Sequence, residues 1–570
     1  KATREERPPV APRKKENKKM SHTTVIVAFL LLATVFAVQD LPNLSRPGQW
    51  VLRLRNSAHP RLVEQQFGIK VVRPLLIHQN VAGENERFFL FDDIEGRLHE
   101  GLFSNHPHIS WARFQPLLNR GKRNILATSS VVPNDPLWAS QWYLHGTTGV
   151  DLNVTGVWDM GINGRGIVIS IVDDGIDFKH AEFNGRYCAE CSYDVNFSDD
   201  DPSPYSWDIH GTASASTAVS AANNNKCNVG VAPGAKVAGI RLLAADTTDF
   251  QEAEALGYAL DKVDIYSNSW GPYDDGKTLE GPGELTLATL KNGVETGRDG
   301  KGAVYVWAGG NGNEQQDSCN YDGYANSRFT IAIGAIGKNG LQTYYSERCA
   351  ALIAVTPSSD KQGNQVSTAM AYGECYTRFG GTSASSPMAA GVVALVLQAN
   401  PLLTWRDVQG VLIRSSVPVD LNNADWSSNA VGLRHNYRYG FGRIDAFAAV
   451  NVAKDWDLLP AYTNTSSPLI TVSKSIPDKS SPVQSVTSTV TLNDEADDFT
   501  IEHVEVVFSA EHSRRGDLLI ELVSPSQTVS TLAWTHTDTS ANYVSWRFSS
   551  VRHWGERSSG SWMLRVSDGT

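Results

Sequence analysis

Apolar residues run along this chain in two kinds of block. Between residues 150 and 450, almost uniformly apolar runs (IVISIV, AKVAGIRLL, AVYVWAG, FTIAIGAI) alternate with helical-period stretches near 212–223, 250–262, 284–297, 386–399 and 404–416. Runs that are apolar on both faces suit strands buried in a parallel sheet with helices on either side, so an α/β domain is predicted. Residues 48–92 carry shorter alternating runs, WVLRLR and FFLFD, around the helix-like PRLVEQQF, which predicts a small α+β unit. After about residue 460, the Ser/Thr/Pro-rich NTSSPLI and KSSPVQS give way to HVEVVF, DLLIELVSP and SWMLRVSD without a convincing helix, the pattern of an antiparallel β-sandwich. The chain stops at Asp568-Gly-Thr570 directly after a strand-like run, so this sandwich is expected to be incomplete. No internal repeat is found.

At 570 residues the chain has room for three domains, at least one with a large core. Residues 25–38, VIVAFLLLATVFAV, are uncharged, follow the Lys-rich KKENKKM, and are shorter than the roughly 20 residues a membrane span needs. They read as a secretory signal peptide with Met20 as its start, and residues 1–19 are set aside. No other segment is expected to cross a membrane. The domains are then 1–39, extension and signal peptide; 40–123, the α+β unit; 124–458, the α/β domain; and 459–570, the β-rich domain.

A secretory route makes Cys188, Cys191, Cys227, Cys319, Cys349 and Cys375 candidates for disulfides, with about 15 pairings open. Cys188-Ala-Glu-Cys191 has half the spacing of a zinc site, but no second such pair exists, so a local disulfide or a reduced pair is expected. Four Asn-X-Ser/Thr sequons, at Asn43, Asn153, Asn196 and Asn464, are compatible with the route.

Charge divides the chain. Residues 1–123 carry 20 basic against 11 acidic side chains, leaving 30 against 50, a balance of −20, for residues 124–570. An acidic surface excludes nucleic acid as a partner, since that binding needs Lys and Arg to displace counterions, and it suits cations or basic peptides. The two parts should attract each other.

Four strings in the α/β region carry chemistry: ISIVDDGID, DIHGTASAS, VWAGGNGN and FGGTSASSPMAAG. Asp173 falls at the carboxyl end of a buried strand, where open α/β sheets place ligands, and His210 and Ser383 fall at helix N-termini. Peptide hydrolysis needs a nucleophile, a base, an acid that orients the base, and donors for the developing oxyanion. Ser383, His210 and Asp173 fill the first three roles. Asn311, among Gly309, Gly310 and Gly312, supplies an amide beside the Ser383 N–H. The order Asp, His, Ser with a separate Asn is the subtilisin order.

With these motifs the chain resembles the subtilisin-like proprotein convertases, the kexin and furin group, over most of its length. The resemblance implies a subtilisin-like catalytic domain with a parallel sheet, an α+β prodomain before it and a jelly-roll-like P domain after it. SNSWGPYDDGKTLEGP and DSCNYDGY resemble the segments that build the cleft wall. By that resemblance Asp274 and Asp322 line the pocket for the residue before the scissile bond, where two carboxylates favour the planar fork of Arg. Asp174 would face the next substrate residue, and Asp249, Glu252, Glu280 and Tyr324 the Arg four residues before the cut. The resemblance further implies Ca²⁺ at two oxygen-rich sites, one with Asp135, Glu182 and Asn224, the other with Asp274, Asp317 and Glu347. It pairs Cys227 with Cys375 and Cys319 with Cys349. The chain departs from the family at Glu182, where Asp is usual, at Asn228 for Gly, in Gly-Thr-Ala-Ser for Gly-Thr-Arg-Cys after the histidine, and at Trp207, where an acid often selects a basic penultimate residue. There Asp174 and Asp208 are expected to compensate.

Arg120-Gly-Lys-Arg123 presents Arg, Lys and Arg at these subsites, so enzyme and matching substrate lie on one chain. The expectation is a calcium-dependent serine endoprotease that cuts itself after Arg123, keeps residues 40–123 as an intramolecular inhibitor, and cleaves secretory precursors after dibasic or R-X-K/R-R motifs. The expected location is the secretory pathway, Golgi, trans-Golgi or secreted, with a membrane anchor only if one follows Thr570. A broad-specificity secreted subtilase is the alternative, and a silent binding protein would lack a member of the catalytic set. Arg515-Gly516-Asp517 reads as a turn before a strand rather than an adhesion signal.

Overall fold

The computed structural model describes residues 25–28, 48–54, 60–67, 69–77, 86–93, 100–103, 106–115, 132–146, 149–478, 484–492 and 500–569. Arg120, Lys122, Arg123, Asn43 and most of the 25–38 run lie outside them. The chain separates into two compact units, residues 37–129 and the rest.

In the smaller unit, four antiparallel strands lie in the order Lys70–Ile77, Glu86–Asp93, Gly48–Leu54, Ile109–Gln115. The helix Pro60–Phe67 covers the predicted PRLVEQQF, and Val63 joins Trp50, Leu52, Phe89 and Phe91 in the core. The strand Ile109–Gln115 lies beyond the predicted alternation.

The α/β part of the larger unit is built on seven parallel strands in the order Ala354–Pro357, Thr330–Ile336, Val304–Ala308, Ile265–Asn268, Val168–Asp173, Lys236–Arg241, Tyr193–Asp194. Period-two alternation feeds two cores. Ile169, Ile171, Val304 and Val306 pack with the helices His210–Val219 and Thr382–Ala399, while Val172, Tyr305 and Trp307 pack with Leu256 and Leu290 of the helices Asp249–Gly257 and Glu284–Gly300. The central strand Ile265–Asn268 and the helix Ala446–Lys454 were not expected from the sequence pattern.

Thr382–Ala399 is the one described helix long and apolar enough to cross a membrane, yet Ala384–Leu397 is buried throughout. It is a core helix, and its N-terminus delivers Ser383 to the surface end of the sheet.

The β-rich part has two four-stranded sheets over one core of Val506, Phe508, Ile520, Leu522, Phe548, Trp562 and Leu564. Val25–Ala28 is a strand antiparallel to both Leu469–Val472 and Val504–Ala510. Arg515–Asp517 forms a short 3₁₀ turn directly before the strand Leu518–Val523, as expected of a structural turn. The β-rich part is joined to the α/β part through buried polar contacts: Arg406 Nη2 on Glu502 at 2.5 Å, Arg328 on Glu505 at 3.2 Å, and the Asn320 amide donating to Leu532 O and Ser549 O at 3.2 and 3.1 Å. A buried charge or amide left without a partner is costly, so these pairings fix how the two surfaces meet.

Candidate active site

Asp173 ends the strand Val168–Asp173, buried, with both carboxylate oxygens on His210: Nδ1 lies 2.9 Å from Oδ1 and 2.8 Å from Oδ2. Asp173 Oδ1 also accepts from Asp174 N at 2.8 Å, and Oδ2 from Ser214 Oγ at 3.4 Å. His210 is the first residue of its helix, whose N-cap Ile209 makes no side-chain cap. The cap comes from Asp174, whose Oδ2 accepts His210 N at 3.1 Å and Oδ1 accepts Gly211 N at 2.6 Å. A carboxylate at a helix N-terminus satisfies orphan donors and meets the positive end of the dipole. Gly211 is required there, because a Cβ would lie 2.2 Å from Gly175 O.

Ser383, the second residue of Thr382–Ala399, is half-exposed between buried neighbours. Pro387 lacks the N–H that would bond to Ser383 O four residues earlier, and Ser269 Oγ donates to that carbonyl instead at 3.1 Å. Asn311 Oδ1 accepts from Thr382 N at 2.8 Å and Thr382 Oγ1 at 3.0 Å, which commits the amide oxygen and turns Nδ2 away from Thr382. The Asn311 loop hangs from acids behind it: Asp274 Oδ2 accepts Asn311 N and Glu347 Oε1 accepts Gly312 N, each at 2.8 Å. Gly310 has φ +90, and a Cβ there would strike the Glu347 carboxyl at 2.3 Å.

Asp274, Asp317 and Glu347 each bring an oxygen within 4.8 Å of the others. Asp317 and Glu347 are buried, and Asp274 is an exposed residue with its carboxyl turned inward onto the loop. Burial, then mutual repulsion, raises the Glu347 carboxyl well above its ordinary range and Asp317 to about 6, against the N–H donors of Gly276 and Ser318. The donor set is all oxygen and acidic, with no basic side chain paired to it among the described residues, which fits a hard divalent cation. Asp135, Glu182 and Asn224 also meet in one place. Asp135 accepts Asn223 N and Asn224 N at 2.8 and 3.3 Å, and Glu182 accepts Asn224 Nδ2 and Asn228 N at 2.8 and 3.2 Å. Glu182 is raised to about 7 by burial, and Asn224 turns its amide nitrogen toward it while its Oδ1 accepts Lys226 N at 2.9 Å.

Asp322 Oδ1 accepts Tyr324 N at 2.7 Å and Ala325 N at 3.2 Å, while Oδ2 faces Gly271, where a Cβ would come within 2.8 Å of it. Burial, and secondarily the charges of Asp274 and Asp317, raise Asp322 to about 7. Glu252 Oε2 takes the Tyr324 hydroxyl, and Tyr324 packs against both Trp270 and Trp307. Glu280 is exposed, its backbone bridged to Asp322.

Two acids have other employment. Asp249 caps the helix Glu284–Gly300, accepting Leu285 N at 3.0 Å and Thr286 N at 2.9 Å. Asp208, expected to compensate for Trp207, is buried against Arg241 Nη2 at 3.0 Å, and Arg241 Nη1 holds Asp194 at 2.9 Å. Arg241 also stacks under Tyr205, and Trp207, against Tyr205, is 73% exposed. The disulfides are Cys227–Cys375, Cys319–Cys349 and the local Cys188–Cys191. Ser269, Thr382 and Ser214, which brace the set, were not singled out from the sequence; Pro387 inside a helical run was the available signal for Ser269.

Burial of the His210 ring works to lower its pKa, but the charge and hydrogen bond of Asp173 and the charge of Asp174 outweigh it and raise the ring to about 9. Asp174 itself is raised to about 7 by burial and by Asp173. The raised histidine contributes stability that is complete below its unfolded pKa, about 6.5, and is lost as pH rises through about 9. Asp174→Asn removes one of the two charges, so the His210 midpoint, followed by NMR of the ring, is expected to fall by up to about one unit. An unmoved midpoint would show that Asp174 acts on the helix end alone.

A family model described as the subtilase family matches residues 164–442, and one for the proprotein convertase P-domain matches residues 501–570. A PC3-like endoprotease of Hydra vulgaris is 41% identical over 482 residues, covering 82% of this chain and 67% of that protein. Human proprotein convertase subtilisin/kexin type 7 is 40% identical, covering 90% and 68%, and bovine furin is 40% identical, covering 83% and 59%. Among solved structures, the serine protease of Aeromonas sobria shares the fold at 23% identity, with a TM-score of 0.70 over 80% of this chain and 93% of that one.

Proposed function

Because the chain belongs to the subtilase family of serine endopeptidases, within its proprotein convertase branch, we propose that it is a calcium-dependent endoprotease that cleaves precursor proteins after Arg in dibasic or R-X-K/R-R motifs. In this reading it first cuts itself after Arg123, and residues 40–123 then act as its inhibitor in the secretory pathway. One observation carries the reading: His210 is locked by Nδ1 onto Asp173 at 2.8 Å while Ser383 stands half-exposed at a helix N-terminus beside an Asn311 whose amide oxygen is already committed to Thr382.

Ser383 Oγ attacks the scissile carbonyl as the neutral ring of His210, a form that gains population as pH rises toward about 9, takes its proton at Nε2, and Asp173 holds the tautomer and balances the charge that forms. Asn311 Nδ2 and the Ser383 N–H donate to the oxyanion. His210 returns the proton to the leaving amine, the acyl group stays on Ser383, and water attacks along the same route. A calcium ion bound by Asp274, Asp317 and Glu347 would supply the positive charge that lets these acids remain ionised together. Asp274 and Glu347 hold the Asn311 loop by Asn311 N and Gly312 N, so order at the acids is order at the oxyanion donor.

Substrate Arg is taken by Asp274 and by Asp322 Oδ2, with Glu252 and Tyr324 toward the earlier basic residue. Glu280 completes that region by charge, with Asp249 held as the cap of the helix Glu284–Gly300. At the penultimate position Asp174 is the remaining acid, since Asp208 is held by Arg241 and Trp207 offers an aromatic face. The basic preference at that position is therefore carried by Asp174 alone and is weaker than two acids would impose.

Asp274→Asn with Asp322→Asn is expected to cost about 2–5 kcal/mol in kcat/KM for peptides with Arg before the cut bond. Peptides with Leu there should lose only what Asp274 contributes to the Asn311 loop, read from Asp274→Asn alone, and the unfolding midpoint in saturating calcium should stay near the parent value. Retained Arg preference would remove the pocket assignment. Excess chelator should abolish hydrolysis and added calcium restore it; full activity in chelator would strike the metal from the account.

A further inference from the structure

The proposed reaction leaves the sequons unused, and the fold treats the three described ones differently. Asn153, with φ +55, directs Nδ2 at both oxygens of Asp445, 3.1 and 3.2 Å away. Asp445 in turn caps the helix Ala446–Lys454 and pairs with Arg443 at 3.2 Å. Asn196 is half-buried, donates from Nδ2 to Leu242 O at 2.8 Å and accepts Ala244 N at 3.3 Å. Each of these amides is part of the framework. Asn464 is exposed, in the segment joining the α/β and β-rich parts, and its amide reaches the Tyr462 hydroxyl at 3.4 Å.

Asn464 also lines a cavity of about 380 Å³ together with Phe329, Trp405, Tyr462, Lys291 and Lys301. Phe329 is buried under the Arg328 guanidinium, 4.5 Å from its ring centre, so the open aromatic lining is Trp405 and Tyr462, the latter 37% exposed. Aromatic faces with a few charged and hydroxyl groups around them suit a ligand that is apolar on its ring face and polar at its edges, as a pyranose is.

We propose that Asn464 carries an N-linked glycan, that Asn153 and Asn196 do not, and that its first sugars settle on the aromatic lining of this cavity. The amide nitrogen of Asn464 bonds to the anomeric carbon of a lipid-pyrophosphate oligosaccharide. The bond from that carbon to the pyrophosphate oxygen breaks, the lipid pyrophosphate leaves with the electron pair, and the amide loses one proton. Transfer precedes folding, so the finished fold selects which modified chains survive. A sugar on Asn153 would stand where Asp445 sits, and one on Asn196 where Leu242 O sits; one on Asn464 displaces only a long contact to Tyr462. The proposal rests on the secretory reading above.

The test expresses the full chain in a secreting eukaryotic line with an appended tail that carries its own sequon. Secreted protein is treated with a glycosidase that converts each glycosylated Asn to Asp in heavy-oxygen water, and its peptides are weighed. The expected result is conversion at Asn464 and in the tail, none at Asn153 or Asn196, and loss of one glycan's mass in Asn464→Gln. That variant should also be nicked several-fold faster by an added protease between residues 459 and 464. A modified tail with a bare Asn464, or a glycan on Asn153 or Asn196, overturns the proposal. A chain that stays in the cytosol with a bare tail overturns the secretory reading, and this proposal with it.

Discussion

Carboxylates packed together out of water govern this site. Asp274, Asp317 and Glu347 converge within 4.8 Å, with Asp322 close enough to feel two of them. Like charges at such spacing in a poorly solvated place cannot all stay ionised without a cation, which is why burial and repulsion drive their affinities for protons upward. The cluster is also a scaffold, because Asn311 and Gly312 are suspended from it by backbone N–H groups. In the proposed reading, chemistry at the oxyanion donor and selection of a cationic substrate are two outcomes of one electrostatic arrangement.

The remaining parts hold that arrangement from both sides. In front, Pro387 opens a carbonyl in the core helix that Ser269 fills, and Thr382 grips Asn311, so Ser383 and Asn311 are tied to the same helix end. Behind, the β-rich part grips the segment between the acids: Asn320 bonds into it through Leu532, Ser549 and Trp546, Tyr321 stacks on His536, and Arg515 reaches Lys277 O. Asp317 and Asp322 flank Asn320 and Tyr321. The β-rich part thus bears directly on the acidic cluster rather than standing apart as an appendage.

Much of this was legible in order and type. Buried strands announced themselves as uniform apolar runs, and PRLVEQQF and Arg515-Gly-Asp517 took the forms their residues suggest. The central strand Ile265–Asn268 was not legible because IYSN is short and half polar; Asn268 is buried there only because its amide finds Tyr266 O and Val306 O. Asp208 and Asp249 show a second limit. An acid next to a motif reads as a ligand for substrate, but a buried Arg241 and the bare end of the helix Glu284–Gly300 claim these two first, and both partners are distant in sequence. Asp174 lies between: its neighbour Asp173 marks it as part of the site, while its bonds to His210 N and Gly211 N appear only once the helix is in place.

The central claim is that Ser383, activated by His210 and Asp173, cuts after a basic motif carried by the same chain. The most direct measurement is the mature N-terminus, by mass spectrometry, of the precursor expressed beside its Ser383→Ala variant in cells lacking other basic-site proteases. The account predicts Asn124 as the N-terminus of the parent and an uncut Ser383→Ala chain. Equal cutting of both would contradict it.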